Sequence, residues 1–142
     1  MSIDHAGITN LLGRYALAVA TFDRKHFAAC WATDAEWVAQ GGVIQGIDRI
    51  VKVFGRARGN FVLCTQAQLS TYCEPDGEAI TARTVVRETQ WVADAAVGVD
   101  LTGIYTDRCV KAGDDWVFAR RKFVELYRGA TTLPGRVAAG DR

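Results

Sequence analysis

Apolar positions recur at spacings of three and four through the first part of the chain and at every second position through most of the rest. Ile8, Leu11, Leu12, Tyr15, Ala18 and Val19 form one stripe, and this spacing predicts a helix over Ile3 to Thr21. Asp23 stands where an N-cap belongs, ahead of a second predicted helix, Arg24 to Ala32, that buries Phe27, Cys30 and Trp31. Asp34 starts a short strand, Ala35 to Gln40, and Gly41-Gly42 turns the chain. A third helix over Gly46 to Arg58 carries Ile47, Ile50, Val51 and Phe54 on its inner face. The remainder alternates as strand: Phe61 to Tyr72, Glu78 to Val92, Val99 to Lys111 and Trp116 to Tyr127. Pro75-Asp76-Gly77 and Ala112 to Asp115 supply the turns between them.

Helices first and long consecutive strands afterwards predict an α+β fold, with three N-terminal helices packed on one face of a curved, mostly antiparallel β-sheet. Such a sheet, closed by helices, encloses a cone, and every second strand residue lines it. A pocket is expected at the wide end, between the first helix and the concave face. The boundaries read as one domain over residues 1–128 and a C-terminal tail over 129–142 that contains the Pro134-Gly135 pair.

Composition narrows the function classes. Of 142 residues, 49% are hydrophobic, enough for a real core, and Lys plus Arg exceed Asp plus Glu by only 17 to 16. That balance argues against nucleic acid and against a membrane surface as partners, since both call for a basic excess. No apolar run is long enough to span a bilayer, and Met1 to Asn10 lacks the pattern of a signal peptide, so a cytoplasmic protein is expected. Cys30, Cys64, Cys73 and Cys109 form no CxxC pair and read as buried, reduced thiols. His5 and His26 are too few and too scattered for a metal site, and neither GxGxxG nor GxxxxGK[ST] occurs. No cofactor and no metal are expected.

Several motifs resemble the SnoaL-like branch of the nuclear transport factor 2-like superfamily. They are Arg14-Tyr15-Ala16, the stretch FAACWATDAEW from Phe27 to Trp37, Gly46, Gly103-Ile104-Tyr105-Thr106-Asp107, Asp115-Trp116 and Arg120-Arg121. Together they cover about residues 5 to 128. The resemblance implies the cone fold. It is weak for any one activity, because the fold hosts cyclases, dehydratases, isomerases, dehydrochlorinases and binding domains. The Trp31-to-Trp37 segment looks most like hexachlorocyclohexane dehydrochlorinase, and the long strand with its YTD stretch looks most like bile-acid 7α-dehydratase. Tyr15 and Asp107 are similar to the oxyanion-hole pair of ketosteroid isomerase. Scytalone dehydratase shares the architecture. The chain departs from these enzymes at their bases: the Asp–His dyad aligns with Ala20 and Val62, and the isomerase's base aligns with Ala39.

Three catalytic candidates follow. Tyr15, on the helix stripe, can donate to a developing oxyanion. Glu88 shares a strand face with Thr84, Val86 and Gln90 and aligns with a functional carboxylate of the bile-acid dehydratase; on the concave face it can serve as a general base, or else pair with Arg83, Arg87 or Arg121. Asp107 either helps the oxyanion or holds the sheet or a neighbouring arginine. Candidate substrate-binding residues are Trp37, Val62, Gln66, Tyr105 and Arg121, with Arg121 also able to pair with Glu125. Tyr15, Trp37, Gln66, Glu88 and Asp107 are expected to share one cavity. The expected function is a cofactor-free lyase or isomerase on a small hydrophobic oxygenated molecule, working as a homo-oligomer, dimer or trimer. The alternatives are a non-catalytic binding or accessory domain and a small structural subunit of a ring-hydroxylating oxygenase.

Overall fold

A computed structural model of the chain describes residues 2–39, 41–132 and 135–138. The elements run α1 (His5–Thr21), α2 (Arg24–Ala28), β1 (Trp31–Ala39), β2 (Gly42–Gln45), α3 (Ile47–Arg58), β3 (Leu63–Asp76), β4 (Ala79–Trp91), β5 (Gly98–Ala112) and β6 (Asp115–Thr131). The strands form one curved open sheet in the order β2-β1-β6-β5-β4-β3. Every neighbouring pair is antiparallel except β1 with β6. The α+β architecture and the three helices are those the sequence pattern predicts.

Three local departures have physical causes. The second helix stops at Ala28, because Trp31 joins the sheet: it stands opposite Phe118, whose N–H donates to the Cys30 carbonyl at 2.8 Å. Asp23 does cap that helix, its side chain accepting from the His26 N–H. Beyond Gly41, which sits at φ 85°, the chain makes a hairpin, with β2 pairing back on β1 from Ala39↔Gly42 to Glu36↔Gln45. The last strand runs past Tyr127 to Thr131.

The predicted stripe of α1 is buried in full, from Ile8 to Val19. The start of α1 is tied to the sheet by Asp4, whose carboxylate accepts from the Gly7 N–H at 2.9 Å and from Trp116 Nε1 at 3.0 Å. Beneath α1 lies an aromatic core. Phe27 stacks on Phe54 at 3.8 Å, and Tyr15 meets Phe27, Trp31 and Phe118 at 5.2 to 6.1 Å. Alternation puts Glu88, Val86 and Thr84 of β4 on the same concave face as Leu101, Tyr105 and Asp107 of β5. Gly103 leaves room there: a Cβ would come within 2.3 Å of the Phe123 ring.

Candidate active site

One end of the cone is filled by the core, and the other retains a cavity of about 260 Å³. Helix α1 contributes Tyr15 and Val19 to its wall, β1 contributes Trp37 and Ala39, and α3 contributes Phe54, Ala57 and Arg58. The sheet side presents Cys64, Gln66, Val86, Glu88, Gln90, Leu101, Tyr105, Phe123 and Arg128. An apolar cup with a few convergent polar groups is the usual form of a small-molecule site.

The polar groups converge on Glu88. Gln66 Nε2 donates to Glu88 Oε1 at 2.8 Å, and Gln90 Nε2 donates to Oε2 at 2.5 Å. Cys64 Sγ donates more weakly to Oε1 at 3.6 Å. Strand pairing builds this arrangement, because Gln66 stands opposite Glu88 and Cys64 opposite Gln90. A carboxylate offers about four lone-pair positions, so these three donors leave it able to accept again. The three arginines named as alternative partners for it are engaged elsewhere: Arg83 donates to Thr106, Arg87 pairs with Asp100, and Arg121 faces Asp107.

Gln66 Nε2 also donates to the Tyr105 hydroxyl at 3.1 Å. Tyr105 and Tyr15 meet edge to face, 6.1 Å apart. Burial holds the Tyr15 phenol well above its ordinary range, the neighbouring Tyr105 raises it further, and Arg121 opposes both. Burial likewise raises Tyr105 against the pull of Arg121. Both phenols keep their protons at neutral pH and can act as donors. Burial also raises the Cys64 thiol, with Glu88 adding to the effect, so Cys64 is a poor nucleophile.

Tyr15, Trp37, Gln66, Glu88 and Tyr105 therefore share the cavity, and three other sequence candidates do not line it. Asp107 is fully buried behind the two phenols, where the wall closes. Arg121 lies beside it, Nε 3.6 Å from Asp107 Oδ1, too far for a hydrogen bond. The guanidinium is boxed by rings, with Tyr105, Tyr15 and Phe118 centroids at 3.5, 4.2 and 4.2 Å. Burial pushes the Asp107 carboxyl up to about 7, with Arg121 opposing the rise. Val62 precedes β3 and lines a wider, more open outer groove with Phe22, Trp91 and Val92; the inward positions of the strand are Cys64 and Gln66. Ala39, at the position of the isomerase base, does line the cavity.

Sequence reasoning missed Arg58, Cys64, Gln90 and Arg128 as site residues. Cys64 and Gln90 share strand faces with Gln66 and Glu88, so alternation pointed to them. Arg58 follows Phe54 by one helical turn, which carries the α3 stripe inward to a charged residue. Among the described residues, no group of three or more His, Cys, Asp or Glu side chains is placed to hold a metal ion, and all four cysteines are free.

The SnoaL-like domain model matches residues 2–122. The chain belongs to the SnoaL-like family. Comparison with curated proteins gives no match by sequence. Among solved structures, a protein named for scytalone dehydratase from Novosphingobium aromaticivorans is 20% identical, with a TM-score of 0.81 over 94% of this chain and 89% of that one. Hexachlorocyclohexane dehydrochlorinase LinA-type3 from Novosphingobium barchaimii is 17% identical, with a TM-score of 0.78 over 95% and 93%. A protein named for an aromatic ring hydroxylase from N. aromaticivorans is 19% identical, with a TM-score of 0.82 over 90% and 93%. At these identities the likeness establishes the fold, and the site has to be argued from its own residues.

Proposed function

We propose that this SnoaL-like protein is a lyase or isomerase that moves a proton on a small, hydrophobic, oxygenated molecule using only its own side chains. The observation that carries this reading is Glu88, a carboxylate on the cavity wall that two amides orient and that forms no ion pair among the described residues. Glu88 takes a proton from carbon next to a carbonyl or similar group. Tyr15 and Tyr105 donate to the oxygen on which charge develops, or protonate a departing oxygen. Tyr105 takes the role expected for Asp107, which lies outside the cavity. The dehydratase and dehydrochlorinase named above lend the reading support as chemistry compatible with this fold. Exposed Leu69, Tyr72, Val124, Leu126 and Tyr127 favour a homo-oligomer. The four free thiols favour a reducing, cytoplasmic setting, and among the described residues no helix is long and apolar enough to cross a membrane.

Deuterium exchange tests the reading with generic substrates. Small cyclic and aromatic ketones incubated with the protein in D₂O should incorporate deuterium at the carbon next to the carbonyl. Glu88→Gln should slow that exchange by roughly a hundredfold while ligand binding persists. Exchange by Glu88→Gln at the wild-type rate would remove Glu88 as the base. A non-catalytic binding role is the second reading, favoured by Ala20 and Val62 where related enzymes carry their dyad. It forecasts ligand binding with no exchange by the wild-type protein.

A further inference from the structure

Among the described residues two arginines are almost fully buried, Arg58 and Arg121, and only Arg121 has a carboxylate beside it. Arg58 ends α3 and turns inward. Its Nε donates to the Val19 carbonyl at 2.7 Å, its Nη1 to Phe61 at 2.8 Å and its Nη2 to Ala20 at 3.2 Å. Among the described residues it forms no ion pair. The carbonyls at the end of α1 hold the guanidinium and supply partial negative charge, but no full one. A guanidinium has five N–H groups, and these bonds use three. A buried cation without a counter-ion is unusual, because desolvation is costly unless the charge is paired.

Arg58 also lies where a ligand can reach it. It belongs to the wall of the inner cavity and to that of the outer groove, as does Phe61, so the two residues stand between the cavity and its approach. Glu88 lines the same cavity from the sheet. The cavity thus has Arg58 on its helix wall and Glu88 on its sheet wall, where Arg128 is already paired with Glu125, and apolar surface from Trp37, Phe54, Leu101 and Phe123 fills the space between.

We propose that the cavity takes a small hydrophobic carboxylate, its anionic group on Arg58 and its apolar body directed toward Glu88. The assignment rests on the reading of this cavity as the substrate site. A carboxylate can accept from the two Arg58 N–H groups that the backbone carbonyls leave over, and repulsion from Glu88 disfavours the reversed orientation. The pair of charges would then select and orient the substrate, presenting its C–H end to the base.

The test is calorimetric titration of the whole protein at neutral pH with 2-naphthoate and with 2-naphthamide, which match in shape and differ in charge. The acid should bind at least about tenfold tighter than the amide. Arg58→Gln should remove that preference, and Arg58→Lys should retain part of it. Because Arg58→Gln also loosens the end of α1, thermal melts should accompany the titrations, and the wild-type ratio of acid to amide stands without any variant. Equal affinity, tighter binding of the amide, or binding of neither at millimolar concentration overturns the assignment. Deuterium exchange by Glu88→Gln answers separately. Lost exchange with equal affinities for acid and amide upholds the proposed chemistry and overturns the anion site; retained exchange with a strong preference for the acid does the reverse.

Discussion

Glu88 and Asp107 are carboxylates on the concave face of the same sheet, on adjacent strands, and their surroundings differ in kind. Glu88 stands where the cone is open and accepts from two neutral amides. Asp107 stands where the cone is packed shut, and neither of its oxygens has a hydrogen-bond partner among the described residues; its neighbour is a cation in an aromatic box. Neutral donors fix an acid in place while leaving it able to accept a proton. A cation behind a wall of rings balances charge inside the protein, and the phenols stacked on it stand between it and the cavity. Tyr15 is the link, with its ring over Arg121 and its side chain on the cavity wall.

The largest expected effect breaks the buried side of this pair. Arg121→Met keeps an unbranched apolar body in the box but leaves Asp107 alone. Unfolding by urea at pH 8 should show a loss of about 3–5 kcal/mol, and a smaller loss at pH 5, where Asp107 is protonated. Glu88→Gln, measured alongside, should change stability little, and equal losses from the two variants would erase the distinction drawn between them.

The next effect falls on the link. Tyr15→Phe leaves the ring on Arg121 and deletes the donor, so folding should be preserved. Turnover, read as deuterium exchange, should fall by an amount equivalent to about 2–4 kcal/mol of transition-state stabilisation. Unchanged exchange would leave Tyr15 as a core residue and pass its role to Tyr105.

The most gradual effect is a dependence on pH. The folded protein raises the Asp107 carboxyl from 3.8 to about 7, with burial as the cause. Between those values the unfolded chain has released a proton that the folded chain retains. Stability from this group is therefore complete below pH 3.8 and is lost as pH rises through about 7. The slope is on the order of 1 kcal/mol per pH unit in that window. Asp107→Asn should flatten the corresponding part of the melting-temperature profile, and an unchanged profile would mean that Asp107 is ionised throughout.

Much of the molecule is legible along the chain. The α1 stripe, the inner face of α3 and the alternation of the long strands are periodic, and a period names a face. That suffices for the α+β architecture, for the cone, and for Tyr15, Trp37, Gln66, Glu88 and Tyr105 as side chains facing one cavity. Periodicity carries the second helix too far because Cys30 and Trp31 are apolar in either conformation, and only pairing with β6 distinguishes strand from helix there. Gly42–Gln45 is too short to show a period, so its strand is hidden in what reads as a turn.

By itself the sequence determined which residues face inward, since side-chain direction follows from backbone repeat. Depth along the cone was decided only by tertiary structure. Asp107 obeys the same alternation as Tyr105, its neighbour on that face of β5, yet lies behind the phenols, because α1 and the aromatic core close one end of the cone and leave space at the other. Alternation counts residues along one strand, whereas an enclosed volume depends on what several distant segments leave unfilled. For the same reason the contrast between Arg58 and Arg121 appears only in the folded chain: Arg121 stands opposite Asp107 on the adjacent strand, and Arg58 meets the carbonyls of a helix end.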